Sequence, residues 1–226
     1  MIKAIVFDFD GTLSNRQRNA YDTFKPYLRQ FFNNISDIEY EAILQDMMLY
    51  DCNGSTAIKN RVPAFISKYK LPDDFIEKFA EYYSYHMPDY TVLKPETINV
   101  LVRLKELGYK LGLITNGETR QQHTKIDNVN IASYFDYLIV SGDLENNIKK
   151  PKKEIFDIMA SHLNLKNEEC MYVGDVFSSD ILGAINGGFL PVWYPNSVEL
   201  PADYYKGYRI SNLNELFNIL KEVNER

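Results

Sequence analysis

The chain has 226 residues, with 25 Lys and Arg against 31 Asp and Glu, a formal charge of −6. Apolar residues make up 45% and charged residues 25%, a balance that excludes disordered, collagen-like and low-complexity architectures. An acidic chain does not coat a nucleic-acid polymer or an anionic membrane through its overall field, although a local pocket can still take an anion.

In chain order, the opening run Ala4-Ile5-Val6-Phe7 is too short for a signal peptide and stops at Asp8. No later run approaches the length of a membrane span. Cys52 and Cys170 stand far apart in no metal or redox spacing, as expected of reduced thiols in a cytoplasmic protein. The sequons at Asn34 and Asn53 are then inert.

Ala4–Phe7 is the first of five short apolar runs, each stopped abruptly by polar, glycine or proline residues. Lys110–Ile114 stops at Thr115-Asn116-Gly117, and Tyr137–Val140 stops at Ser141-Gly142. Cys170–Val173 stops at Gly174-Asp175, and Leu190–Tyr194 stops at Pro195. Their length, β-branched and aromatic content and punctuation predict buried strands. Helical patterns lie between them. Pro95 is expected to open one with Val100, Leu101, Leu104 and Leu107 on its apolar face, closed by Gly108. Pro151 opens another through Ile155, Phe156, Met159 and Leu163; Ser178 or Ser179 caps a third through Ile181, Leu182 and Ile185. Alternating strands and helices predict an α/β fold, a Rossmann-like parallel sheet with helices on both faces.

The stretch from Arg16 to His86 breaks the alternation with at least four helical patterns and no convincing strand. Turn signals fall near Asn33-Asn34, Asn53-Gly54 and Leu71-Pro72-Asp73, and Phe24, Leu28, Phe31, Phe32, Tyr82 and Tyr83 supply the apolar material of a small bundle. The expected organisation is a core of residues 1–15 and 88–226 with a helical insertion at 16–87.

Ligands of such a sheet bind beyond the carboxyl ends of its strands. Four fragments meet there: Asp8-Phe9-Asp10-Gly11-Thr12, Thr115-Asn116-Gly117, Lys150 and Asp175. Each has an ordinary structural explanation by itself, as a turn, a helix-dipole partner or a solvated lysine. Together, in order and at successive strand ends, they form a site. Asp8, Asp10 and Asp175 offer the hard oxygens that Mg²⁺ accepts. Thr115, the Asn116-Gly117 turn and Lys150 suit phosphate oxygens.

These residues, with Gly174-Asp175-x-x-x-x-Asp180, resemble the four ordered motifs of the haloacid dehalogenase-like hydrolase superfamily, and the insertion resembles its small helical cap. The tract Leu111–Tyr194 looks most like the phosphatase branch that includes pyrimidine nucleotidases and N-acylneuraminate-9-phosphatase. The resemblance implies Asp8 as nucleophile, Asp10 as acid and base, and Thr115 and Lys150 holding the phosphoryl group. It implies Mg²⁺ on Asp8, the Asp10 carbonyl and Asp175, with Asp180 supporting from just outside. The expected substrate is a small phosphorylated metabolite, a nucleotide or sugar phosphate.

Against the resemblance, Asn15 stands where many of these phosphatases carry Asp. Gly174 stands where the sugar-phosphate mutase branch places Glu, which argues against a mutase. Asp10, which haloalkanoate dehalogenases lack, argues against carbon–halogen cleavage. A non-catalytic phosphate-ligand-binding protein would be marked by loss of Asp8, Asp10 or Lys150, and all three are present. Asn15, Arg18 and the turn Asp51-Cys52-Asn53-Gly54 are candidate substrate contacts, with a solvated face and a plain connector as the simpler readings of Arg18 and the turn. His86, His123 and His162 form no cluster, and His123, Arg120 and Gln121 are read as surface helix positions.

Overall fold

A computed structural model describes residues 1–54, 57–195 and 202–225. The chain forms two compact units, one of Met1–Asn15 with Leu93–Arg226 and the other of Arg16–Val92.

The first unit is built on a six-stranded sheet: β1 (Ala4–Phe7), β2 (Lys110–Thr115), β3 (Tyr137–Val140), β4 (Cys170–Gly174), β5 (Leu190–Trp193) and β6 (Tyr208–Arg209). The order across the sheet is β3-β2-β1-β4-β5-β6, and every pairing is parallel. All four residues of β1 are buried, because a central parallel strand is covered on both faces. Side chains alternate between those faces. Ile5 and Phe7 join a cluster with Leu113, Val173, Leu101 and Leu216, while Ala4 and Val6 join another with Tyr172, Phe156 and Met159. The helices follow from this alternation. The first cluster is closed by α6 (Thr97–Glu106) and α10 (Leu216–Glu225), the second by α8 (Lys153–His162) and α9 (Leu182–Gly187). The fold is a Rossmann-like parallel sheet with helices on both faces.

Register decides where the chemistry falls. Phe7 pairs with Leu113 on one side and Val173 on the other, and the Asp8 N–H donates to the Val173 carbonyl at 2.9 Å. Asp8, Thr115 and Asp175 therefore leave the sheet at one edge.

Three local expectations change. Pro95 and Pro151 lie two residues ahead of α6 and α8 rather than opening them, and Leu107, just past α6, is 58% exposed. Ile181 is buried as expected, but Leu182 and Ile185 face solvent. A π-type turn at Phe177–Ile181 precedes α9, and its wider winding rotates the helix away from the face that simple periodicity assigns.

The second unit holds α1 (Arg16–Arg29), α2 (Asp37–Asp51), α3 (Ile58–Arg61), α4 (Pro63–Tyr69) and α5 (Phe75–His86). Its core gathers Phe24, Leu28, Met47, Phe65, Phe75 and Phe79, with Phe31, Phe32, Tyr82 and Tyr83 half-buried against it. Ser36 caps α2 in a reciprocal capping box with Glu39. Asp51 is buried between Arg16 and Arg61, which both donate to its carboxylate. The segment after α5 stays with the helices, since Met87 is buried and the Val92 N–H donates to Asn19 Oδ1 at 2.9 Å. The units therefore part at Leu93 rather than at 88.

Candidate active site

At the carboxyl edge of the sheet, Asp8, Thr115, Lys150, Asp175 and Asp180 are all buried. The Lys150 ammonium donates to Asp8 Oδ1 at 2.5 Å and pairs with Asp180 Oδ1 at 2.7 Å. Carboxylate oxygens of Asp8, Asp175 and Asp180 lie within 4.8 Å of one another. Three carboxyl groups against one ammonium give the cluster an excess of acidic oxygen donors, which suits a divalent cation. Gly11, at φ +94°, makes the approach possible, because a Cβ there would stand 2.3 Å from Asp175 Oδ2.

Asp180 is committed to protein donors: Tyr172 OH at 3.1 Å and Lys150 on Oδ1, and the Val176 N–H at 2.9 Å on Oδ2. It orients the lysine and the loop after β4. A Cβ at Gly174 would meet the Asp180 side chain at 2.3 Å, so a larger residue at 174 collides with this support.

Burial pushes the Asp8 carboxyl up to about 7, against the opposing pull of Lys150. Burial acts to lower the Lys150 ammonium, but the carboxylates of Asp180 and Asp8 outweigh it and raise it. The direction that governs the pair is the one set by its 2.5 Å contact: the lysine stays charged.

Within the turn, the Asn116 side chain and the Gly117 N–H are engaged by the protein itself. The Asn116 side chain donates to the Lys150 carbonyl and accepts from the Lys150 N–H, both at 3.0 Å, so it fixes the lysine's backbone. The Gly117 N–H donates to Ser141 Oγ at 3.1 Å. Gly117 is required for space instead, since a Cβ there would meet Gln122 Cγ at 2.5 Å.

The model of the haloacid dehalogenase-like hydrolases matches residues 5–192. The chain belongs to that family. A glyceraldehyde 3-phosphate phosphatase of Pyrococcus abyssi is 31% identical over 86% of this chain and 82% of its own. A pyrimidine 5'-nucleotidase of Escherichia coli, YjjG, is 27% identical over 96% of each chain. The relatives place this hydrolase among the family's phosphoric monoester hydrolases. The fold is shared with the magnesium-bound hydrolase YfnB of Bacillus subtilis, at TM-score 0.77 and 19% identity over 97% of this chain and 98% of that one.

Two residues that touch this hydrolase's candidate site escape motif reading. In α7 (Thr119–Asn128), Gln122 Nε2 lies 3.0 Å from Asp10 Oδ2, 2.9 Å from Thr115 Oγ1 and 2.9 Å from the Asn116 carbonyl, its two N–H bonds shared among the three acceptors. Lys125 donates to Asp10 Oδ2 at 2.8 Å. Their spacing of three on one helix face, just after the Thr115 motif, is the signal that could have found them. Elsewhere, Arg18 pairs at the surface with Asp22 at 2.6 Å, and exposed His123 meets Asp143 at 2.7 Å. Among the described residues, no helix is long and apolar enough to cross a membrane.

Proposed function

We propose that this hydrolase is a Mg²⁺-dependent phosphatase of the cytoplasm, acting on a small soluble phosphate monoester, a nucleotide or sugar phosphate, through an aspartyl-phosphate. The residues 1–15 and 93–226 form its catalytic core, and 16–92 its cap. The observation that carries the reading is the buried set of Asp8, Asp175 and Asp180 around one lysine, with Asp10 and Thr115 held by a common side chain. The small phosphorylated substrates in the relatives' names support the substrate class.

Asp8, the Asp10 carbonyl and Asp175 would hold Mg²⁺, which supplies charge neutralisation for phosphoryl transfer. In the first step an Asp8 oxygen bonds to phosphorus. The ester P–O bond breaks, and its electron pair goes to the leaving oxygen, which takes a proton from Asp10. In the second step Asp10 takes a proton from water as the water oxygen bonds to phosphorus. The P–O bond to Asp8 breaks, and its carboxylate and inorganic phosphate result. Lys150 steadies the phosphoryl oxygens by charge. Thr115 donates its hydroxyl proton, because Gln122 already occupies the acceptor side of that oxygen.

The test is phosphate release across a panel of nucleotide and sugar phosphates, with and without chelator. Release that chelator stops and Asp8→Asn abolishes is expected. Chelator-resistant release, or none from any member with metal bound, contradicts the reading.

A further inference from the structure

Resting on the reaction just described, we propose that Lys125 and Gln122 are positioning residues for the Asp10 carboxyl group, holding its Oδ2 so that proton exchange with the leaving oxygen and with water takes place at Oδ1.

A lysine is seldom fully buried unless it is paired, and the Lys125 side chain is 4% exposed in an otherwise polar helix. Its ammonium lies 2.8 Å from Asp10 Oδ2, and Gln122 Nε2 reaches the same oxygen at 3.0 Å. A carboxyl oxygen accepts along two lone-pair directions, so two N–H donors on Oδ2 leave a proton to Oδ1. There the Ser14 hydroxyl makes a longer bond of 3.4 Å. The Gln122 amide cannot turn over without setting its oxygen against the Asn116 carbonyl and the Asp10 carboxyl, since its nitrogen meets both, and Thr115 Oγ1 as well, within 3.0 Å. One face of α7 thereby references the proton donor and the phosphate-binding hydroxyl to the same rigid element. Such fixing matters, because a general acid acts only from a defined distance and angle.

A residue that merely braces the fold, if removed, slows all substrates alike. One that positions the acid matters in proportion to how much the leaving group needs a proton. The experiment compares kcat/KM, which reads the steps through aspartyl-phosphate formation, for an alkyl phosphate that the wild-type Mg²⁺ enzyme hydrolyses and for p-nitrophenyl phosphate. Lys125→Met keeps the stem and removes the ammonium. It should lower kcat/KM on the alkyl ester about 10- to 100-fold, part of the full range of general-acid help. On p-nitrophenyl phosphate the loss should stay under about threefold, since that leaving group departs without a proton. Lys125→Arg should recover most of the alkyl-ester loss. Should Lys125→Met fail to fold, Lys125→Gln is read in the same way. Equal losses on the two esters, or no loss on either, overturn the proposal. An inactive wild type overturns the phosphatase reading itself, which separates the two failures.

Discussion

The Lys150 ammonium stands 2.5 Å from Asp8 Oδ1, although 142 positions separate the two residues in the chain. Their meeting depends on the sheet: Asp8 follows the last residue of the central strand, and Asn116, beyond the neighbouring strand, clamps the backbone of Lys150 from both sides. The charged lysine thus pulls the nucleophile proposed for phosphoryl transfer toward its anionic form, against the burial that pushes its carboxyl up, and Asp180 steadies that lysine from behind at 2.7 Å.

That arrangement makes the two aspartates of the first motif unequal. In the proposed mechanism Asp8→Asn replaces the nucleophilic carboxylate by a neutral amide, and kcat is expected to fall on the order of 10⁴-fold or more. Asp10→Asn removes the proposed proton transfer, and with it the carboxylate that pairs with Lys125, and should cost about 10²–10⁴-fold. Phosphate release by folded, phosphatase-free preparations measures both.

The mutual repulsion of the clustered carboxylates should be relieved by the divalent ion. Adding Mg²⁺ to chelator-treated protein is expected to raise the unfolding midpoint, equivalent to about 2.7 kcal/mol when the free ion is at 100 times its Kd. Asp175→Asn should abolish that rise. Thermal unfolding with and without Mg²⁺ reads the result.

In the helical unit, Asp51 is the shared partner of two buried guanidiniums, Arg16 and Arg61. Removing it takes from both guanidiniums the carboxylate they share. Asp51→Ala should destabilise by about 3–5 kcal/mol, as breaking buried ion pairs does. Urea unfolding of the whole protein, followed by fluorescence, measures the loss.

Lys94 carries the pH signal. Its ammonium lies 3.5 Å from the centre of the Tyr194 ring, and burial pushes it down to about 8, against the pull of Asp175, Glu96 and Asp8. Between about 8 and its ordinary 10.5, the unfolded chain keeps a proton that the folded protein has lost. Through this group stability therefore rises with pH across that window. Lys94→Met should flatten the rise and raise the unfolding midpoint at pH 7, measured in chelator.

The strand ends and the Asp8, Thr115 and Asp175 positions were legible because each interrupts an apolar run so abruptly that no helix or continued strand accounts for it. Lys125 and Gln122 were not, because a lysine and a glutamine in a polar helix read as a solvated face. Lys125's partner, Asp10, lies 115 positions away, and pairing across that distance leaves no local pattern. The outward turn of Leu182 and Ile185 was hidden for another reason: helical periodicity assumes a constant winding, and the π-type turn at Phe177–Ile181 breaks it. Tyr208–Arg209 is too short to show an alternation. The Gly117 N–H looked available because the turn signal says nothing of Ser141, which takes it.

The most direct test of the account is a search for the phosphoryl group on Asp8. Wild-type protein with Mg²⁺ and a hydrolysed substrate is quenched in acid within one turnover, digested, and its peptides are weighed by mass spectrometry. The account predicts a phosphorylated peptide containing Asp8 that is lost on a longer chase and never forms in Asp8→Asn. A phosphoryl group on another residue, or Asp8→Asn releasing phosphate at the wild-type rate, would contradict it.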